Sequence, residues 1–410
     1  MSRDGTEPIR GGKRYRIAYL VTHPIQYQAP LLRFLQAQPD IDITVFFQSD
    51  LSVKSYYDSG FGRQVAWDVP LLEGYKSEFL PALGRRDLVE WVRPLSYGLP
   101  RRLKEGKFDL LWVHGYARWF NWAALIAARR LGIPTLVRDE VSVPTARRSR
   151  LKVALKRHLF FPLFNRLCSA YLAIGSLNRD FYLQNGASAE RVFMATYCVD
   201  NDFFATRARE AEPRREILRA ELGLEPGRPV ILYASKFQPR KRAADLLAAY
   251  GRLVDRGVSP PPYLLLAGDG EERPRLEREA ARFGADVRFL GFRNQSELPA
   301  LFDLCDVFVL VSQHEPWGLV VNEVMSVGRA IVISDQVGCG PDLVRDGVNG
   351  HVVPVGDIAA LEESLADVLR DQARTLSMGR ASLEIIGGCD FAAFLAGLRA
   401  SLRALVPDRA

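Results

Sequence analysis

The feature that most restricts the fold is an alternation of short apolar runs with longer amphipathic stretches, and it occurs twice. In the first half the runs are "RIAYLVT" (16–22), "ITVFFQ" (43–48), "LLWVH" (110–114), "TLVRD" (135–139) and "AYLAIG" (170–175). They are continuous rather than alternating, which marks strands buried on both faces, as in a parallel sheet covered by helices. Amphipathic stretches such as "APLLRFLQAQ" and "WAALIAARRLG" lie between them, and Gly-Ile-Pro at 132–134 ends one helix and opens the next strand. The pattern restarts with "PVILYASK" (229–236) and the helical "RAADLLAAYGRLVDRG", then "YLLLAGDG" (263–270), "VRFLGF" (287–292), "VFVLVS" (307–312) and "AIVISD" (330–335). The expected fold class is α/β, with two tandem Rossmann-like domains facing across a cleft.

A chain of 410 residues suits two such domains. Residues 1–15 read as a polar, disordered lead-in, 16–205 as the N-terminal domain and 206–390 as the C-terminal domain. The charged stretch 205–229 holds the junction. Residues 391–410 read as a closing helix that packs back on the N-terminal domain.

Charge and cysteine usage bound the setting. A net charge of +7 fits an anionic ligand or an anionic membrane surface. Cys168, Cys198, Cys305, Cys339 and Cys389 are odd in number and widely spaced, without CxxC or Cys/His metal spacing. Buried free thiols in a reducing compartment are expected. No eighteen apolar residues run uninterrupted and the N-terminus lacks a signal-peptide core, so the expectation is a cytoplasmic protein, soluble or peripheral on the inner face of the membrane. The stretch 147–167 has seven Lys and Arg, no acid, and aromatics toward its end. It reads either as a helix lying on anionic lipid or as a core-packed helix with a solvated basic face.

Open α/β sheets bind ligands at the carboxyl ends of their strands. In the second half "QHEPWGLVVNE" puts Glu315 in the loop after a strand and Glu323 about one and a half turns into a helix that begins near Gly318. The amides of Gly318, Leu319 and Val320 lie at that helix start, where N–H groups lack partners and the dipole favours an anion. Lys236 and Lys241 follow another strand, as flexible cations suited to a diphosphate. Gly291 and Phe292 end a third strand, where a nucleobase could lie. Phosphate-binding amides beside two carboxylates that can bind hydroxyls suit a sugar nucleotide. The plainer reading makes Glu315 a cap, Glu323 a solvated face and the lysines a basic loop.

This half resembles the donor-binding domain of retaining GT-B glycosyltransferases of glycosyltransferase family 4. Glu315 and Glu323 match that family's E-x7-E signature, followed by "SDQVGCGPDLVRDGVNG" (334–350). Lys236 and Lys241 match its basic pair, although the first is more often Arg and Arg242 stands where a Gly is usual. The N-terminal half resembles the family more loosely. His114, in "HGYARW", sits where many members carry a His beside the donor sugar. His23, Gln26 and Tyr27, in "THPIQYQAPLL", replace a Gly-rich loop with side chains that can bond sugars. Arg138 and Glu140, in "RDEVSV", end another strand, to hold an acceptor or pair with each other.

The resemblance implies a retaining glycosyltransferase moving a sugar from a nucleotide-diphospho-sugar to a glycan or lipid-linked acceptor, in bacterial-type cell-surface polysaccharide or glycolipid synthesis. His114 and Glu315 are its candidate catalytic residues. Lys236, Lys241, Gly291, Phe292, Gly318, Leu319, Val320 and Glu323 would bind the donor, and His23, Gln26, Tyr27, Arg138 and Glu140 the acceptor. No cofactor and no nucleic-acid partner is expected. No metal is expected either: D-x-D at Asp40–Asp42 and Asp200–Asp202 stands without the features of metal-dependent GT-A enzymes. The alternatives are a GT-B-type sugar-nucleotide epimerase and a non-catalytic nucleotide-sugar-binding protein. A dehydrogenase is disfavoured, because no G-x-G-x-x-G follows a strand.

Overall fold

A computed structural model describes residues 14–87, 89–141 and 156–407. Most of the expected lead-in, and residues 147–155 of the basic stretch, lie outside the described residues. The chain divides into two compact units: Met1–Tyr56, Pro70–Val199 and Phe391–Ala410 in the first, Tyr57–Val69 and Asp200–Asp390 in the second.

Each unit is built on one all-parallel sheet, as the unbroken apolar runs require. In the first the spatial order is Lys76–Phe79, Ile41–Phe47, Tyr15–Val21, Leu110–His114, Thr135–Arg138, Ala170–Ala173, Val192–Met194. The chain winds outward from Tyr15–Val21 on one side, then returns to add Leu110–His114 on the other. The direction of winding reverses there, so the ends at Val21 and His114 flank the switch point where such sheets bind ligands. The second unit repeats the plan with Val287–Gly291, Tyr263–Ala267, Val230–Ala234, Val307–Leu310, Ala330–Ser334, Gly350–Val353. Its switch point lies between the ends at Ala234 and Leu310. Ile231, Leu264, Val307 and Val332 are fully buried in its core.

Two expected boundaries are corrected. The charged stretch 205–229 is not a junction. It is helical, as Asn201–Ala211 and Arg215–Glu221, and lies inside the second unit. Asp200 caps the first of these helices, accepting from the Phe203 amide at 3.0 Å, so the change of unit falls at 199/200. The charges are the solvated faces of packed helices. Second, Tyr57–Val69, expected within the N-terminal domain, packs with the second unit.

The helix Phe391–Leu405 belongs to the first unit. Phe394 is buried against Trp112, with ring centroids 5.9 Å apart. Arg399 makes a two-pronged ion pair with Asp40 at 2.8 and 2.7 Å. Gly397 lets the helix touch the strand Val192–Met194, since a Cβ there would come 1.9 Å from the Met194 carbonyl oxygen. Residues 372–405 together are long and apolar enough to pass for a membrane span. They are two helices, Gln372–Ile386 and Phe391–Leu405, of 15 residues each and in different units. Neither reaches the ~20 residues a bilayer core requires. All five cysteines are buried, as expected, and none forms a disulfide.

Both groups of the Arg399–Asp40 pair are almost fully buried. Removing one partner leaves the other charge unsolvated, so Arg399→Ala should cost the first unit about 3–5 kcal/mol. Urea unfolding with a shift below 1 kcal/mol would show that the pair is solvated.

Candidate functional site

The second unit concentrates its polar groups at the switch point. After Val230–Ala234 the chain passes Lys236 and forms a tight turn, Pro239–Lys241. The Tyr233 hydroxyl, buried beneath, lies 3.4 Å from the carbonyls of both Lys236 and Lys241. After Val307–Leu310 the neighbouring loop runs from Ser312 to Gly318, and the Gln313 amide donates to the Arg240 carbonyl at 2.7 Å. The two loops are thereby fixed side by side.

Glu315 sits in that loop, as expected. Its amide donates to the Gln336 carbonyl at 3.1 Å and its own carbonyl accepts from Gly338 at 2.9 Å. Its carboxylate pairs with the Lys241 ammonium and lies 3.4 Å from the Ser312 hydroxyl. Burial lowers the Lys241 pKa below its usual range, with Glu315 opposing the shift. Trp317 is buried, and its indole N–H donates to Asn322 at 2.9 Å. It braces the loop against the helix that follows.

That helix is Leu319–Met325, entered through Gly318 at φ 97°. This left-handed conformation suits glycine. Leu319 and Val320 are half-buried in the first turn, where amides lack intrahelical acceptors. Glu323 follows one turn on and has no hydrogen-bond or ion-pair partner among the described residues. Burial pushes its carboxyl up to about 8. A half-buried acid without a protein partner is costly unless a ligand supplies one.

Lys236 and Phe292 reach the expected strand ends but meet residues that nothing in the sequence flagged. Asp58 receives Lys236 at 2.8 and 2.9 Å. The Phe292 ring lies 4.9 Å from Phe61 and 6.4 Å from Trp67, with the Arg63 guanidinium 5.3 Å away. Gly291 turns the chain at φ 70°, its carbonyl accepting from Gly268 at 2.8 Å.

The first unit has its own polar cluster. Tyr27 donates to Glu140 at 2.9 Å, Tyr197 donates to the same carboxylate, and His114 Nε2 lies 3.8 Å from it. Burial works to raise the Glu140 pKa, but the nearby His114 and the hydrogen bonds from Tyr197 and Tyr27 outweigh it and hold the carboxyl at about 2. His114 Nδ1 lies 3.1 Å from the Tyr19 hydroxyl, which donates to Gln28 at 3.2 Å. The neighbouring Asp139, buried, is pushed up to about 6. Burial, with Arg118 and His114 nearby, brings His23 down to about 4, so it is neutral at pH 7. Gln26 is half-buried.

Arg138 departs from expectation. It does not stand free at a strand end to meet an acceptor, nor does it pair with Glu140. It is buried, its guanidinium 4.2 Å from the Tyr197 ring and 4.8 Å from Phe394. The strand Thr135–Arg138 is buried along its whole length, so its last side chain stacks in the core instead of pointing outward. Tyr19, Gln28 and Tyr197 were missed because they read as interior strand, helix and loop residues.

The two D-x-D segments have structural uses: Asp40 receives Arg399, Asp42 receives Lys76, and Asp200 caps a helix. Among the described residues no three His, Cys, Asp or Glu cluster as a metal site would need.

Residues 214–384, which include the whole Lys236–Glu323 cluster, match the family model of glycosyl transferases group 1. They form a group 1 glycosyl transferase domain. Over 185 residues the chain is 31% identical to the alpha-D-kanosaminyltransferase of Streptomyces kanamyceticus, covering 45% of this chain and 46% of that one. Over 173 residues it is 32% identical to the lipopolysaccharide core biosynthesis glycosyltransferase LpsE of Rhizobium meliloti, covering 42% and 48%. The match therefore spans less than half the length of these curated relatives. The fold extends further. The crystal structure of Anabaena HepE in complex with UDP and glucose aligns with a TM-score of 0.70 at 18% identity, over 95% of this chain and 100% of that one. A glycosyltransferase from Rickettsia africae aligns at 0.72 and 12%, over 97% and 100%. The fold is that of the GT-B glycosyltransferases, with a group 1 domain as its second half.

The unpartnered acid has a pH signature. Folded, Glu323 keeps its proton up to about pH 8, whereas in the unfolded chain it loses it near pH 4.3. Between these values the folded state binds more protons, so this group lowers stability as pH rises. The Tm of Glu323→Gln should rise relative to the parent across that window and level off above it. Parallel Tm–pH curves would show that Glu323 is ionised in the folded domain.

Proposed function

We propose that the protein is a retaining glycosyltransferase that moves a sugar from a nucleotide-diphospho-sugar to a glycan or lipid-linked acceptor, in bacterial-type cell-surface polysaccharide or glycolipid synthesis. The observation that carries this reading is the unpartnered Glu323 carboxyl, on the helix that follows the loop of the Lys241–Glu315 pair, within residues that match the group 1 family. A protonated or ionised Glu323 can bond ribose hydroxyls. Lys236, Lys241 and the amides of residues 318–320 face the charge that develops on the departing diphosphate, the main electrostatic task in this chemistry. Glu315 would orient the donor sugar, with Gly291 and Phe292 near the base, and His114 is the candidate catalytic residue of the first unit.

In the reaction the bond from the anomeric carbon to the diphosphate oxygen breaks as the acceptor hydroxyl bonds to that carbon. The acceptor proton passes to the leaving phosphate oxygen, so no side-chain nucleophile is needed. Lysine and amide groups supply the neutralisation that a metal provides elsewhere. Acceptor binding would fall to His23, Gln26, Tyr27 and Glu140, with Arg138 supporting Tyr197 from the core. We place the protein in the cytoplasm, peripheral to the membrane through its basic 147–167 stretch. Within that stretch Leu159 and Leu163 are exposed, while Phe161 and Phe164 are buried in the first unit.

A second reading is favoured by the His114–Glu140 approach. The His114 ring nitrogen lies 3.8 Å from the carboxylate, and an imidazole oriented in this way is a common general base. His114 would then take the acceptor proton, and the product would be inverted. The anomeric configuration of the product, read by proton NMR, separates the two. Incubation with donor alone tests for an epimerase.

Lys241→Ala and Glu323→Ala should each lower kcat/KM for the donor by about 10²-fold. UDP-sugars are the first to try, because the HepE structure holds UDP and glucose; GDP- and ADP-sugars follow. Unchanged kinetics in both variants would overturn the site assignment.

A further inference from the structure

Residues 57–69 lie, in sequence, between two strands of the first unit, yet they pack with the second. They form a small hairpin, with strands Tyr56–Asp58 and Arg63–Val65. The hairpin is pinned at both ends to the strand-end loops assigned above to donor binding.

At the near end Asp58 is folded inward. Its Oδ1 accepts from the amides of Gly60 and Phe61 at 2.8 and 3.1 Å, and both oxygens receive the Lys236 ammonium. Burial works to raise the Asp58 pKa, but Lys236 outweighs it and keeps the acid ionised. The same ammonium sits 4.7 Å from the Phe61 ring. Gly60 presses so closely that a Cβ on it would stand 2.6 Å from the Lys236 side chain. At the far end Asn294 donates to the Ala66 carbonyl at 2.7 Å, and Ser296 donates to Asp68. Between these anchors Phe61, Arg63 and Trp67 cover Phe292.

The arrangement conflicts with a bound donor in two ways. A Lys ammonium has three N–H donors, and two already point at Asp58. A diphosphate brought to Lys236 would meet the Asp58 charge a few ångströms away, and like charges at that range repel. The Phe292 ring, near which a base would lie, is already met edge-on by Phe61 and approached by the Arg63 guanidinium. Lys241 is likewise neutralised, by Glu315. Glu315, though, belongs to the site itself, whereas Asp58 comes from a separate segment that is joined to the site through the contacts above.

We infer that the 57–69 hairpin is a displaceable strap over the donor site, and that Asp58 is an internal competitor for the donor diphosphate at Lys236. Donor binding takes Lys236 from Asp58, frees Phe292 and lifts the strap. This deepens the donor-site reading and rests on it. Nucleotide affinity is thereby set partly by a carboxylate that never needs to touch the donor.

The test uses the full chain with UDP, GDP and ADP in turn, combining calorimetry with hydrogen exchange followed by mass spectrometry. Asp58→Asn, which keeps the shape but not the charge, should tighten binding of the accepted nucleotide roughly threefold to tenfold. In the unaltered protein the same nucleotide should slow exchange in 236–242 and 315–323 while speeding it in 57–69. Nucleotide protection of 236–242 with 57–69 unchanged or slowed, or equal or weaker binding by Asp58→Asn, overturns the strap and leaves the donor site standing. If no nucleotide protects 236–242 in either protein, the donor site falls and the strap with it.

Discussion

A parallel sheet covered on both faces can present polar side chains only where its strands stop. Along the strands nearly every side chain enters a core, and the backbone groups are consumed by neighbouring strands. The unbroken runs at 15–21, 110–114, 230–234 and 307–310 leave no room for function within them. Thus His114, Lys236 and Glu315 all appear within a few residues of a strand's last residue. The reversal of winding opens two of those ends beside each other in each unit. Chemistry here is a consequence of where hydrophobic burial runs out.

Within the second unit, this crowding makes the charges answer to one another. Lys241 is held by Glu315, Lys236 by Asp58, and Glu323 by nothing. The first two pairs offset the penalty of placing ammonium groups in a partly dry loop cluster. The third residue avoids it by keeping its proton. The site as folded is close to electrically neutral at these residues, though its amides and lysines suit an anion. Binding an anion must therefore involve exchange of partners as well as new attraction.

The strand runs were readable because burial on both faces writes itself directly into composition. The edge strand Lys76–Phe79 was not, because "KSEF" has one neighbour, half-exposed side chains and no apolar run. Glu315, Gly318 and Glu323 were legible from spacing around a strand and a helix start. Asp58 was not: it lies 178 residues from Lys236, in a polar stretch with no local reason to pair. Arg138 misled for the opposite reason. Its position at a strand end is as read, but its guanidinium stacks between Tyr197 and Phe394, which only the fold brings together. The junction at 205–229 misled because a run of charges on packed helices has the same composition as a linker.

The pairing of Asp40 with Arg399 has a consequence in time. The two residues are 359 positions apart, and both belong to the first unit. During synthesis at roughly 5–20 residues per second, about 20–70 s pass between their emergence. Through that interval Asp40 lacks its counter-charge, and Trp112 and Arg138 lack the cover of Phe394. The unit encoded first is thus finished last, after every residue of the group 1 domain has already left the ribosome. A chain stopped just short of the final helix would carry a complete second unit and an open first one, the form most exposed to chaperones and proteases.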